Sequence, residues 1–321
     1  MSSSPLDKAT AVQYAYRLIL GREPSAAEVL AHLGHPDLQA LRRSFFESQE
    51  FRSNYRWLCG ATLSGYEPPL SVQDWVDPAT LKRLFVHIQA SWRTIGEQEP
   101  YWSVLSADEY KLANIQGRLE EFYRSGWESF HLLVNTMKRN GLDDRLEDKT
   151  LLEYGCGVGR VTNVLAQKFK RVHAYDVSTS HLALARQVTD SLGLANVHYV
   201  AVQSLRDMQE LPQVDMAYSI IVLQHNPPPI IRLILESMLD ALKPGGTALF
   251  QLLTYQEGYS FRVEEYLSSP RPAQIEMHVL PQQRVFEIIA DKRCRVLEVL
   301  DDALAGYRKG QLSNTFLVQK R

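Results

Sequence analysis

The chain has 321 residues, of which 45% are apolar and 22% charged, a composition that excludes intrinsic disorder and supports a large core without disulfides. A formal net charge of −2 gives no overall attraction to nucleic acid or to an anionic membrane, and no run approaches the ~20 apolar residues of a membrane helix. The three cysteines, Cys59, Cys156 and Cys294, are odd in number and far apart, which argues against a disulfide framework or a zinc site and fits a reducing cytoplasm.

The segment from Met1 to Lys8 has no apolar signal core. Residues 1–60 read as a small helical module. Val12, Tyr16, Leu18, Ile19 and Leu20 fall at helical spacing, and Gly21 to Pro24 ends that helix. Ser25 and Glu28 have the spacing of a capping box that starts the next helix. Leu41, Phe45 and Phe46 continue an apolar face. A Gly-, Ser- and Pro-containing stretch at 60–69 marks a boundary. Residues 61–148 read as a helical linker and lid. Leu81, Leu84, Phe85 and Ile88 share one face, a break follows at Glu99 to Trp102, and a further helix is predicted over 119–139.

From residue 149 to 321 the pattern alternates strand and helix. Strands are predicted at 150–154, 171–176, 197–201, 214–222 and 247–252, and helices at 161–168, 181–192 and 230–242. Two more edge strands are available at 294–300 and 315–319. This order predicts an α/β fold with a mostly parallel sheet covered on both faces.

The segment Glu153-Tyr154-Gly155-Cys156-Gly157-Val158-Gly159-Arg160 follows a predicted strand and opens a predicted helix, the setting of a nucleotide-type loop. Gly155 and Gly157 can take backbone angles closed to other residues and leave no side chain between chain and ligand. The second strand ends about twenty residues on at Asp176, whose carboxylate can accept from both hydroxyls of a ribose. A nicotinamide-dinucleotide fold uses the same device, so Asp176 alone does not discriminate. Arg160 stands where the third glycine of the dinucleotide fingerprint would fall and would obstruct a pyrophosphate. Glu153 suits a cationic amino acid ligand better than a diphosphate.

Taken in order, these segments resemble the class I S-adenosylmethionine-dependent methyltransferases. Residues 152–160 resemble that family's first motif, and Tyr175-Asp176-Val177-Ser178 its acidic ribose motif. Residues 215–225 resemble the fourth-strand motif, and Leu242-Lys243-Pro244-Gly245-Gly246 the turn before the fifth strand. The resemblance implies a Rossmann-like seven-stranded sheet with a reversed final strand and S-adenosylmethionine as methyl donor. Where the family often carries an acidic residue near the adenine, this chain has Val202-Gln203-Ser204-Leu205. Gln203, or amides at Ser204 and Leu205, are expected to meet the adenine edge. The segment from Trp92 to Leu105 also resembles a stretch preceding the core in one bacterial subgroup, so Tyr101 and Trp102 either border the sulfonium or pack the helical cap.

His225, just after the fourth strand, is the candidate catalytic group: an imidazole there either accepts a proton from a hydroxyl or only lines the pocket. Cys156 reads as a small residue of the cofactor loop rather than a nucleophile, and no metal is expected. Arg262, Glu264, Tyr266 and His278, in the stretch 261–281, are expected to contribute to the acceptor pocket. Residues 16–24 and 45–51 resemble a small helical domain of unknown function found beside glycosyltransferases and in surface-polysaccharide proteins. That association suggests a glycan acceptor in polysaccharide biosynthesis, or else a docking module for a protein partner. The expectation is O-methylation of a sugar or small-molecule hydroxyl. The alternatives are a nicotinamide-linked oxidoreductase and a non-catalytic donor-binding scaffold.

Overall fold

The computed structural model describes residues 7–54, 62–143, 145–268, 273–306 and 309–321. Cys59 and the boundary placed at residue 60 lie outside the described residues. The chain divides into two compact units, Met1–Glu67 with Ala303–Gln311, and Pro68–Asp302 with Leu312–Arg321. The helices assigned to the lid, beyond residue 68, belong to the same unit as the sheet.

In the first unit α1 (Lys8–Ala15) starts on the Asp7 side chain, which accepts from the Ala9 amide. A wider turn, Tyr16–Leu20, continues it until Gly21 (φ +72°) stops the helix. The Ser25–Glu28 capping box opens α2 (Ala26–His32), and α3 (Leu38–Glu47) and α4 (Gln49–Asn54) follow. Val12, Tyr16, Leu20, Leu41, Phe45 and Phe51 form the core. Leu18 does not join them; it is 80% exposed, because a residue two positions from both Tyr16 and Leu20 points to the opposite side of the turn. Arg22 bonds the carboxylates of Glu28 and Glu50, each at 2.6 Å, and so ties α2 to α4.

The second unit begins with α5 (Pro78–Gln98), capped by Asp77 and started by proline. The helix predicted over 119–139 is two, α6 (Leu119–Arg124) and α7 (Gly126–Arg139), broken at Ser125. The sheet strands are β1 (Thr150–Tyr154), β2 (Arg171–Asp176), β3 (Val197–Ala201), β4 (Val214–Ser219), β5 (Leu242–Gln256), β6 (Cys294–Asp302) and β7 (Gln311–Lys320). Their spatial order is β3-β2-β1-β4-β5-β7-β6. Strands β3, β2, β1, β4 and β5 are parallel neighbours, and β7 runs antiparallel to β6. That order, with its antiparallel pair at the edge, differs from the 3-2-1-4-5-6 sheet of dinucleotide dehydrogenases. The expected turn at residues 243–246 is instead an irregularity inside a longer β5, where the pairing with β4 shifts between Val214 and Met216.

Helices α8 (Thr162–Ala166), α9 (Thr179–Ser191), α10 (Leu205–Gln209) and α11 (Pro228–Asp240) alternate with the strands, and α12 (Val263–Ser268) and α13 (Gln282–Asp291) follow β5. Successive residues of β1 feed opposite faces of the sheet: Leu151 packs with α7, α8 and α9, and Leu152 with α5, α11 and α13. Both faces are therefore covered, as the continuous apolar strands require. Among the described residues no helix is long and apolar enough to cross a membrane.

Candidate active site

Parallel strands that all end on one edge bring their following loops together, and at the C-terminal edge of this sheet those loops line a cavity. Its floor is the turn after β1. Gly155 takes φ +79°, and a side chain there would collide with Val222, so this corner admits only glycine. The Gly155 and Cys156 amides both donate to the Tyr175 carbonyl, at 2.8 and 3.1 Å, which fixes the turn against β2.

Asp176, at the tip of β2, faces the same cavity. Its Oδ2 accepts from the Gly157 amide and its Oδ1 from the Ser178 amide, each at 2.8 Å. A carboxylate offers about four lone-pair positions, so two stay open for further donors. His181 Nδ1 lies 3.6 Å from Oδ1, and its Nε2 meets Ser103 Oγ at 2.9 Å. Ser103 and Val104 come from the stretch after α5, which closes over the cavity.

Glu153 is buried in the wall, and its Oε2 accepts from Thr162 Oγ1 at 2.6 Å. Burial pushes its carboxyl up to about 8, against the opposing influence of Thr162 and Arg160. An ordinary carboxyl titrates near ~4.3, so folding raises the proton affinity of this group. Its contribution to stability is complete below that ordinary value and is lost as pH rises through about 8. Glu153→Gln is therefore expected to lose less melting temperature than the parent protein as pH rises from mildly acidic values to about 8. Parallel melting curves for both proteins across that range would reject this if they fell together.

His225 sits in the short turn after β4 with its ring in the cavity wall. Its Nδ1 lies 2.8 Å from the Glu276 carbonyl oxygen. A carbonyl can only accept, so Nδ1 carries the proton and Nε2 presents a lone pair. Burial lowers the imidazole to about 4, which keeps the ring neutral at physiological pH. Trp92 from α5 packs beside it, 5.6 Å between ring centres. The neighbouring Ile221 takes φ +59°, rarely adopted by a β-branched residue. Its amide is held at 2.9 Å by the Gln251 side chain, whose Nε2 donates to Ser313 Oγ on β7 at 2.7 Å.

Of the residues singled out from the sequence, Glu153, Gly155, Cys156, Gly157, Arg160 and Asp176 converge on this cavity, with Val177 and His225. The buried Cys156 thiol is pushed well above its ordinary value by burial, which suppresses the nucleophilic thiolate. Tyr101 and Trp102 do not reach the wall. Tyr101 stacks edge-on against Phe122 and Tyr123, so it packs the cap, and Ser103 and Val104 take the cavity position. Gln203, Ser204 and Leu205 are also outside it. Ser204 caps α10, and the Gln203 and Ser204 amides both donate to Asp207 Oδ2 at 2.9 Å, leaving neither for a ligand. Met208, one turn further along α10, lines the cavity instead. The Ser204-x-x-Asp207 spacing is the sequence signal for that arrangement.

Trp92, His181, Tyr218 and Asn226 are further wall residues that the sequence reading left out. Tyr218 belongs to a strand whose alternation announces it, but the others come from helices and turns with no motif of their own. Arg262, Glu264, Tyr266 and His278 do not line this cavity. Tyr266 and His278 instead hold the Glu276 carboxylate, at 2.7 and 2.9 Å, behind the carbonyl that orients His225.

Comparisons with known proteins point the same way. The chain is 29% identical over 134 residues to a ubiquinone biosynthesis O-methyltransferase of Pseudomonas paraeruginosa, covering 40% of this chain and 56% of that protein. It is 30% identical over 159 residues to the biotin biosynthesis bifunctional protein BioHC of Teredinibacter turnerae, covering 42% of this chain and 26% of that protein. The chain thus spans about half the length, or less, of these curated relatives. In fold it resembles magnesium protoporphyrin IX methyltransferase from Synechocystis with bound SAH, with a TM-score of 0.52 at 14% identity, over 74% of this chain and 99% of that one. Residues 151–246, which carry the loop, Asp176 and His225, match the family model described as a methyltransferase domain. That segment accordingly resembles a methyltransferase domain, and the chain shares the fold of magnesium protoporphyrin IX methyltransferase.

Proposed function

We propose that the chain transfers a methyl group from S-adenosylmethionine to a hydroxyl of a sugar or small metabolite. The observation that carries this reading is one cavity walled by the side-chain-free corner at Gly155, the carboxylate of Asp176 and the ring of His225. The donor set fits the cofactor. Asp176 keeps two acceptor positions for ribose hydroxyls, and Val177 and Met208 offer apolar contact for a base. Glu153 becomes an anion more readily beside an ammonium group. The cofactor supplies an already activated methyl, so the protein's task is largely to hold the acceptor in line.

His225 would take the hydroxyl proton on Nε2 as the acceptor oxygen bonds to the methyl carbon and the sulfur–methyl bond breaks, leaving the donor as a neutral thioether, and Asn226 lies beside it in the wall. The name of the ubiquinone biosynthesis O-methyltransferase relatives supports oxygen as the methylated atom. A glycan acceptor, and a role for the N-terminal helices in meeting a partner protein, rest on the resemblance of residues 16–51 to a domain of polysaccharide-associated proteins. The charge balance favours no nucleic acid partner, and the cysteine pattern suits the cytoplasm.

Calorimetric titration of the full chain with S-adenosylmethionine, its demethylated product SAH and NAD tests the reading. Micromolar affinity for the first two and none for NAD is expected; the reverse preference would sink it. Labelled donor incubated with a glycan fraction and a metabolite extract, followed by mass spectrometry, would then identify the acceptor.

A further inference from the structure

The charged side chains of the cavity wall, Glu153, Arg160 and Asp176, stand on β1, on the loop after it and at the tip of β2. Among the described residues, α5, the turn after β4 and α11 bring no carboxylate, lysine or arginine to that wall. They bring the methyl-acceptor side instead. His225 and Asn226 follow β4, Trp92 of α5 packs 5.6 Å from the His225 ring centre, and Ile88, Ile221 and Ile230 line the cavity from the same elements and from α11.

The polar groups of this side are few, and their directions are fixed. Nδ1 of His225 is committed to the Glu276 carbonyl, which leaves a lone pair on Nε2. The Asn226 amide nitrogen donates to the Val222 and Leu223 carbonyls, at 3.0 and 3.4 Å, which leaves its oxygen as a hydrogen-bond acceptor. Neither Nε2 nor that oxygen is sealed inside the protein, so a ligand in the cavity reaches both. Trp92 adds an indole N–H. A sugar ring carries hydroxyls around its whole edge, and most of them would leave water here without a partner. A flat aromatic ring instead gains from the indole face and the aliphatic side chains. The strength of the base points the same way. Burial holds the His225 imidazole near about 4, and a weak base removes a proton most readily from an acidic hydroxyl. A phenol ionises near ~10, well below an aliphatic or sugar hydroxyl.

We propose that the methyl acceptor is an aromatic hydroxyl: a flat ring laid against Trp92, with one hydroxyl on His225 Nε2 and a neighbouring hydroxyl on the Asn226 oxygen. The inference rests on the methyl-transfer reading above and narrows its acceptor from hydroxyls in general to phenols. As the phenol oxygen bonds the methyl carbon, the sulfur–methyl bond breaks and its electron pair stays on sulfur. The phenol proton passes to Nε2 and from there to water. The second hydroxyl keeps its proton and only fixes the ring's rotation, so that one oxygen of the two is presented to the methyl group.

The test gives the full chain labelled S-adenosylmethionine with catechol, phenol or methyl glucoside at equal concentration. Transfer to catechol is expected to exceed transfer to the glucoside by about 100-fold or more, and transfer to phenol, which lacks the second hydroxyl, by about tenfold. Asn226→Ala is expected to erase the advantage of catechol over phenol. Trp92→Ala is expected to raise the KM for catechol about tenfold, and Trp92→Phe, which restores a ring, to recover most of it. Calorimetry with SAH on each variant shows that the donor still binds. Trp92→Phe and Asn226→Ala carry the test if Trp92→Ala does not fold. A glucoside rate equal to or above that of catechol, a KM and a catechol preference unchanged in all the variants, or a parent protein that binds S-adenosylmethionine yet methylates neither ring, overturns the aromatic acceptor alone. A parent protein that binds no S-adenosylmethionine overturns the methyl-transfer reading and this inference with it.

Discussion

Replacing Asp176 with alanine is expected to cut the affinity for SAH by about 100-fold, the worth of two hydrogen bonds to a charged acceptor. The same change strips the Gly157 and Ser178 amides of the side-chain acceptor that Asp176 gives them, so a fall in melting temperature accompanies it. Asp176→Asn separates the two effects. It keeps one acceptor oxygen for the backbone and recovers part of the stability, but it lacks the charge and the spare lone pairs that a ribose needs. Calorimetry and thermal melts on the same preparations check both parts. Wild-type affinity in the alanine variant would remove Asp176 from the donor site.

The second large effect is expected at His225. Alanine there removes the proton acceptor and should lower kcat by about 100-fold or more, while SAH binds as before. The pH dependence gives an independent reading. The ring works as a base only when neutral, and burial holds it near about 4. The rate assigned to this group is therefore level from neutral pH down to mildly acidic pH, and falls only as pH drops through about 4. An unshifted imidazole would begin to lose activity near ~6.5. A rate profile breaking at that higher value, or an alanine variant with normal kcat, would count against the assignment. Glu276 offers a softer probe, because its backbone carbonyl meets His225 while its carboxylate is held by Tyr266 and His278.

The central sheet was legible because its strands are buried on both faces and so read as short unbroken apolar runs between helices. The limits of β1, β2 and β3 coincide with those predicted. The end of β4 was not, because Ile221 turns out of the strand at a positive φ that nothing in its side chain announces. The glycine corner and Asp176 stood out because their chemistry demands particular residues at particular spacings. The roof of the cavity did not. Tyr101 and Trp102 were the conspicuous aromatics of their segment, yet a turn at Glu99 to Val104 sends Tyr101 into the cap and presents Ser103 and Val104 instead. Gln203 and Ser204 lie where a base-binding loop is expected, but Asp207 claims their amides to start a helix. In both cases a local hydrogen-bonding preference decided which neighbour faced the cavity. The break of the long lid helix falls at Ser125, next to a glycine whose missing side chain leaves room for the Arg160 carbonyl, and no single segment contains that contact.

The strained wall at Ile221 has a consequence for how the protein is made. The glutamine that restrains it, Gln251, is itself fastened to Ser313, on the sheet strand synthesised after all the others. A ribosome-bound chain that has exposed β1 to β5 possesses the glycine corner and the aspartate, but not the tether that shapes the neighbouring loop. The restraint on Ile221 is therefore complete only once β7 has taken its place between β5 and β6.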